Sequence, residues 1–262
     1  MARASVYHRL VVWLLLLVLV LPLAATLLYS LATQWSASLL PAGLTFDWYL
    51  RLWSEPRFLA AFRRSLLVCV GALAFACLLV LPAMFVIAYH FPRLDAVMNV
   101  LILLPFAVPP VVSSVGLLQL FAGGPLALVG TPWILIGCYF TIALPFLYRA
   151  LTNNLQAIEL RDLMDAAHLL GASTFRAALS VVLPNLRKGL VVAVLLSFSF
   201  LIGEFVFANL LVGTRYETLQ VYLNNMRNGS GHFTSALVIS YFMVVLLVTW
   251  AASRLNRDPS SS

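Results

Sequence analysis

Few side chains in this 262-residue chain are of types that do chemistry, and their spacing argues against catalysis. The four histidines, His8, His90, His168 and His232, are scattered, mostly at the ends of apolar runs. No pair has the short spacing of metal ligands. Cys69, Cys77 and Cys138 sit inside apolar runs. They follow neither a metal-ligand nor a disulfide pattern and read as small buried hydrophobes. No nucleophile stands beside a plausible base. The sequence contains no glycine-rich phosphate loop and no dinucleotide-binding glycine motif. The chain therefore carries no means of hydrolysing ATP by itself and no metal or cofactor site.

The remaining polar residues of interest lie in apolar surroundings. Glu204 is the only acidic residue in the middle of an apolar span. A carboxylate at a bilayer centre costs several kcal/mol. The fifteen Leu, Val, Ile and Phe residues from Leu190 to Leu211, at about −0.4 kcal/mol each, contribute roughly −6 kcal/mol and cover Glu204 and Asn209. The span inserts, and its carboxylate must face protein or water. Two roles stay open: lining a pathway for an amine-bearing solute, or a structural bond to a neighbouring helix, to Ser197 or to Ser199. Ser113, Ser114 and the Pro109-Pro110 pair give a bent helix with small polar residues. Such a helix suits the wall of a cavity that opens alternately, and equally serves plain packing.

The elements that position these residues are membrane helices. Hydrophobic residues make up 63% of the chain and charged residues 10%; mean hydropathy is +1.00. A soluble domain is nearer half apolar and a quarter charged. An ordinary soluble enzyme and a disordered chain are excluded. The expectation is an all-α integral membrane protein of six transmembrane helices, at about 9–31, 66–90, 97–121, 132–151, 188–211 and 235–253, each near the ~20 residues a bilayer requires. The first span is too long for a signal h-region and reads as a retained anchor kinked at Pro22. The net charge of +7 fits the basic excess of cytoplasmic loops and gives no reason to expect nucleic acid. With both termini in the cytoplasm, ten Lys/Arg fall inside and six outside. The organisation expected is an N-terminal helix and external loop over 1–65, a transmembrane core over 66–255, and a tail over 256–262. A short helix or two should lie within Trp35–Ser65, and another around Thr218–Met226.

The long inner loop, Thr152–Leu186, is the least membrane-like segment. Leu160, Leu163, Met164, Ala167 and Leu170 form one helical stripe. Gly171 interrupts it, Ser173 or Thr174 can cap a second helix, and Pro184 ends or bends that one. An amphipathic helix here lies on lipid or docks in a partner's groove, and its acidic residues argue against an anionic lipid surface. Asp165-Ala166-Ala167, three residues, Gly171, nine residues, Val181, one residue and Leu183-Pro184 together resemble the EAA loop of ABC importer permeases. Asp165 stands where that family usually has Glu, and Val181 where it usually has Ile. The resemblance runs from roughly Phe62 to Arg254. Ser199–Phe205 resembles the fifth span of spermidine/putrescine-type permeases. Gln34-Trp35, Leu40–Thr45, Gly124-Pro125 and Gly130–Trp133 resemble the 2-aminoethylphosphonate permeases of that group.

The resemblance implies a multi-pass inner-membrane permease without cofactor of its own, ATP and Mg being held by a dimer of cytoplasmic ABC ATPase subunits. It further implies a second, different permease chain and an external solute-binding protein. The coupling residues would be Asp165, Ala166, Ala167, His168, Leu169, Leu170, Gly171 and Pro184. The pathway residues would be Glu204, Ser113, Ser114 and Asn209. A polyamine or a 2-aminoethylphosphonate-like amine is the expected solute, with ferric iron, sulfate or a similar anion as alternatives. An ion-coupled secondary transporter is the rival reading, and it predicts more intramembrane charge and internal symmetry than the chain displays.

Overall fold

A computed structural model describes residues 2–36 and 40–255. Its elements are helices α1 (Ala2–Leu31), α2 (Asp47–Ser54), α3 (Pro56–His90), α4 (Asp95–Leu101), α5 (Leu104–Ala107), α6 (Pro110–Phe121), α7 (Pro132–Ala157), α8 (Leu160–Leu169), α9 (Thr174–Ala177), α10 (Leu183–Ile202), α11 (Leu219–Met226) and α12 (Gly231–Leu255). Five described helical runs are long and apolar enough to cross a membrane: His8–Leu31, Pro56–His90, Pro132–Ala157, Thr174–Ile202 and Gly231–Ala251. The bent pair Pro92–Ala107 and Pro110–Phe121 supplies the sixth. The tail expected at 256–262 lies outside the described residues.

Three boundaries differ from the expectation. The second span begins at Pro56, because Pro56 suits a helix first turn and the chain stays helical through Arg63-Arg64 to His90. So, among the described residues, the 35–65 segment holds one separate short helix, α2. The third span is broken, with an 87° bend. Pro109 and Pro110 both lack an N–H, so the helix stops at Ala107 and restarts at Pro110. The fifth span starts at Thr174 and ends at Ile202, earlier than 188–211 at both ends. Pro184 does not end the helix before it. It sits in the first turn of α10, directly after a π-segment, Ala178–Val182. Asn185 Nδ2 donates to the Val181 carbonyl at 2.8 Å within this irregular turn.

The chain forms two compact units. The first comprises the chain up to Leu59 with Tyr222–Leu246. Here residues 31–34 and 42–45 pair antiparallel: Thr33 N donates to Gly43 O (2.9 Å) and Thr45 N to Leu31 O (2.7 Å). Trp48 Nε1 donates to Ala32 O at 2.9 Å. The His232 ring stacks on Tyr29 (4.2 Å) and on Trp48 (5.7 Å).

The second unit runs from Ala60 to Val221, with the chain after Leu246. Its spine is the packing of α7 on α10. Ala143, Leu147 and Leu151 recur every four residues on α7, as do Gly189, Ala193, Ser197 and Leu201 on α10, and all are buried. Small residues in such a stripe let two backbones approach closely. At Gly189 an added methyl would overlap the Asn154 carboxamide. Gly189→Val is therefore expected to destabilise the protein by roughly 1–3 kcal/mol through overpacking. Adding Asn154→Ala should recover much of that loss, as measured by thermal unfolding of the purified protein.

Candidate functional site

The loop after α7 folds as helix, joint, helix. Glu159 takes a left-handed conformation (φ 46°) and turns the chain into α8. Leu160, Met164 and Ala167 are buried, so the expected stripe packs inward. Leu170 departs from it. It lies past the last turn of α8 and is 89% exposed, beside Leu169 at 90%. Asp165 and Ala166 are exposed, and His168 is half-buried. Gly171, at φ +83°, closes α8 with two bonds: Gly171 N to His168 O (2.9 Å) and Ala172 N to Ala167 O (3.0 Å). That is the αL helix stop which glycine adopts without strain. Ser173 caps α9, its Oγ accepting from Arg176 N at 3.4 Å. Thr174 Oγ1 and His168 Nε2 lie 3.3 Å apart across the joint. Phe175, 75% exposed, extends the apolar surface of Leu169 and Leu170.

Above the loop is a cavity of about 430 Å³ lined by Asp95, Tyr148, Thr152, Glu159 and Arg161 among others. Tyr148 Oη donates to Asp95 Oδ1 at 2.7 Å, and Asn99 Nδ2 donates to Asp95 Oδ2 at 3.0 Å. This ties the start of α4 to α7 ahead of α8. Sequence reasoning missed the pair. A tyrosine inside an apolar span and an aspartate opening a helix are separate, unremarked features until folding joins them.

The expected pathway residues are distributed over neighbouring segments. Glu204 is not inside a continuous helix. It follows the end of α10, and its carboxylate caps the next helical turn. Oε1 accepts from Phe207 N (2.8 Å) and Oε2 from Ala208 N (3.1 Å). Ser197 and Ser199, the serine partners considered above, instead donate to their own helix, at Ala193 O and Leu195 O. The turn ends in a second π-segment, Ala208–Val212, which packs against α6. Ser114 is buried and donates to Pro110 O at 2.7 Å. Ser113 is half-buried, and Asn209 is exposed. π-Segments often mark functional positions.

Comparison with known proteins places this geometry. Residues 80–260 match the family described as "Binding-protein-dependent transport system inner membrane component". A putative 2-aminoethylphosphonate transport system permease protein of Salmonella paratyphi A is 28% identical over 238 residues, covering 90% of this chain and 89% of the relative. A spermidine/putrescine transport system permease protein of Escherichia coli K12 is 27% identical over 221 residues, covering 82% and 81%. A chain of a bacterial ABC transporter involved in import of the acidic polysaccharide alginate superposes with a TM-score of 0.74, over 97% of this chain and 96% of that one. At 14% identity that likeness concerns the fold alone.

A carboxylate that caps a helix turn contributes on the order of 1 kcal/mol. Glu204→Ala is expected to lower the thermal unfolding midpoint. Glu204→Gln, which keeps one accepting oxygen, should lower it less.

Proposed function

Since the chain belongs to the family of binding-protein-dependent transport system inner membrane components, we propose that its 152–186 loop is where a separate ATPase drives this transport permease. The observation that carries the reading is the outward display of Leu169, Leu170 and Phe175 around the Gly171 joint. Three large apolar side chains exposed on a short polar-flanked helix pair are a docking surface for a partner groove. Asp165 and Ala166 lie exposed on the same helix. The aspartate offers a charge to a basic partner residue, and the alanine allows close approach.

The mechanics follow from the connections. The His168–Thr174 contact holds α8 to α9. From Thr174 one helical run of 29 residues continues to Ile202, about 44 Å at 1.5 Å per residue. A displacement of α8 is thus delivered along the fifth span to the Glu204 cap and the segment after it. ATP binding closes a pair of ATPase subunits, moves the two coupling loops of a permease pair together, and shifts the population from inward- to outward-facing. The second permease is a different chain, and an external binding protein delivers the solute.

The ten-to-six distribution of Lys/Arg supports cytoplasmic termini and an inner-membrane location, with the loop inside. The solute is a small one of the kind the named relatives carry, a polyamine or a 2-aminoethylphosphonate-like amine.

A tagged chain should co-purify with an ATPase. Gly171→Pro, which cannot adopt φ +83°, should abolish uptake while the protein still inserts. Asp165→Lys should weaken ATPase association several-fold at unchanged membrane abundance. An active transporter recovered without any ATPase would overturn the reading.

A further inference from the structure

The end of the second unit remote from the coupling loop carries an arginine cluster that ATP coupling does not use. Helix α3 identifies the two ends. Tyr89, near its C-terminus, has its ring 6.5 Å from that of His168. Arg64 stands about 25 residues earlier, roughly 38 Å away along the axis. Beside it, the buried Ser65 Oγ accepts from Leu219 N at 2.8 Å, which holds the stretch before α11 against α3. Arg64 places its guanidinium carbon 5.5 Å from the Tyr216 ring centre. Burial pushes the Tyr216 hydroxyl above its ordinary pKa, while Arg64 and Arg63 pull it down. The next residue back, Arg215, lines a cavity of about 400 Å³ with Asn209, Thr214 and the 210–213 stretch. Gly130, at φ +84°, leaves room for its stem, for a Cβ there would come within 2.9 Å of Arg215 Cδ.

No residue lining this cavity is Asp or Glu. Glu217 is buried and is not part of the lining. Glu204 holds both oxygens on backbone N–H groups. A cleft of one charge sign with low-dielectric walls focuses its field and concentrates counter-ions. A guanidinium also matches the geometry of an oxyanion better than that of any other small group.

We propose that this mouth is an anion-receiving vestibule. Arg215 on its wall makes it positive, with Arg64 nearby over the ring of the adjoining Tyr216, so it admits a small solute bearing a phosphonate, phosphate or carboxylate group and repels a polyamine. This narrows the solute class and rests on the permease reading, which puts this end outside.

The test uses the complete importer with its ATPase present. Thr214→Cys places a thiol on the cavity wall. Its thiolate attacks the sulfenyl sulfur of a methanethiosulfonate, forming a mixed disulfide and releasing methanesulfinate. Rates are compared for the anionic 2-sulfonatoethyl and the cationic 2-trimethylammonioethyl reagents, relative to a free thiol. The anionic reagent should be favoured about 10-fold, and Arg64→Gln with Arg215→Gln should return the ratio toward that of the free thiol. Equal or cation-favouring rates, or a ratio indifferent to the arginines, overturn the proposal. If Thr214→Cys fails to insert, Asn209→Cys serves on the same wall. Uptake gives a second arm: 2-aminoethylphosphonate should be accumulated and lost at least tenfold in Arg215→Gln, whereas spermidine uptake indifferent to Arg215 sinks the idea. Where neither solute moves, the rate ratio decides. A failed ratio with the ATPase still bound removes the vestibule alone; loss of the ATPase removes the permease reading.

Discussion

Inside a bilayer no water is at hand to take up a backbone N–H or C=O, so each departure from regular helix must be satisfied by the protein. That constraint governs this chain wherever proline or glycine breaks a span. At Pro184 the turn before the proline widens into a π-segment, and Asn185 bonds a carbonyl there. At Pro109-Pro110 the helix stops and restarts because neither residue has an N–H to continue it. After Ile202 the helix stops again, and the Glu204 carboxylate takes two of the N–H groups that open the next turn. Glu204 thereby serves as local repair of the backbone.

Those breaks separate regular from irregular parts of the unit. The regular parts, α7 and α10, pack through a stripe of small and apolar residues that admits little variation. The irregular parts flank them: the Gly171 joint and π-segment at one end of the fifth span, the Glu204 cap and second π-segment at the other. The fifth span is thus a continuous helical run from Thr174 to Ile202 with an irregular turn towards each end. The Asp95–Tyr148 bond adds a tie between the broken third span and the helix that leads into the loop.

Charge is unevenly distributed over the cavities of the second unit. Carboxylates and one arginine line the cavity beside the 152–186 loop, while a single arginine, Arg215, and no carboxylate lines the cavity around 209–215. Arg63-Arg64 opposes the positive-inside bias when loops are merely counted. Arg64 lies over the Tyr216 ring, which gives it a local reason to be there.

Composition and hydropathy alone determined that this is a helical membrane protein of six spans, because apolar surface on this scale has no other place to be buried. Spacing alone located the helix pair of the 152–186 loop and its glycine joint, because a 3.6-residue stripe and a left-handed stop are local properties of the chain. Tertiary structure decided the rest. Whether Glu204 stood within a helix or capped one depended on where α10 ended, which no hydropathy window resolves. Leu170 matched the buried stripe by period, yet it is exposed because the helix closes one residue before it. Tyr148 met Asp95, and Ser65 met Leu219, across 53 and 154 residues of sequence. Periodicity carries information about a helix's own faces, while a bond between distant residues exists only once packing has brought their helices together.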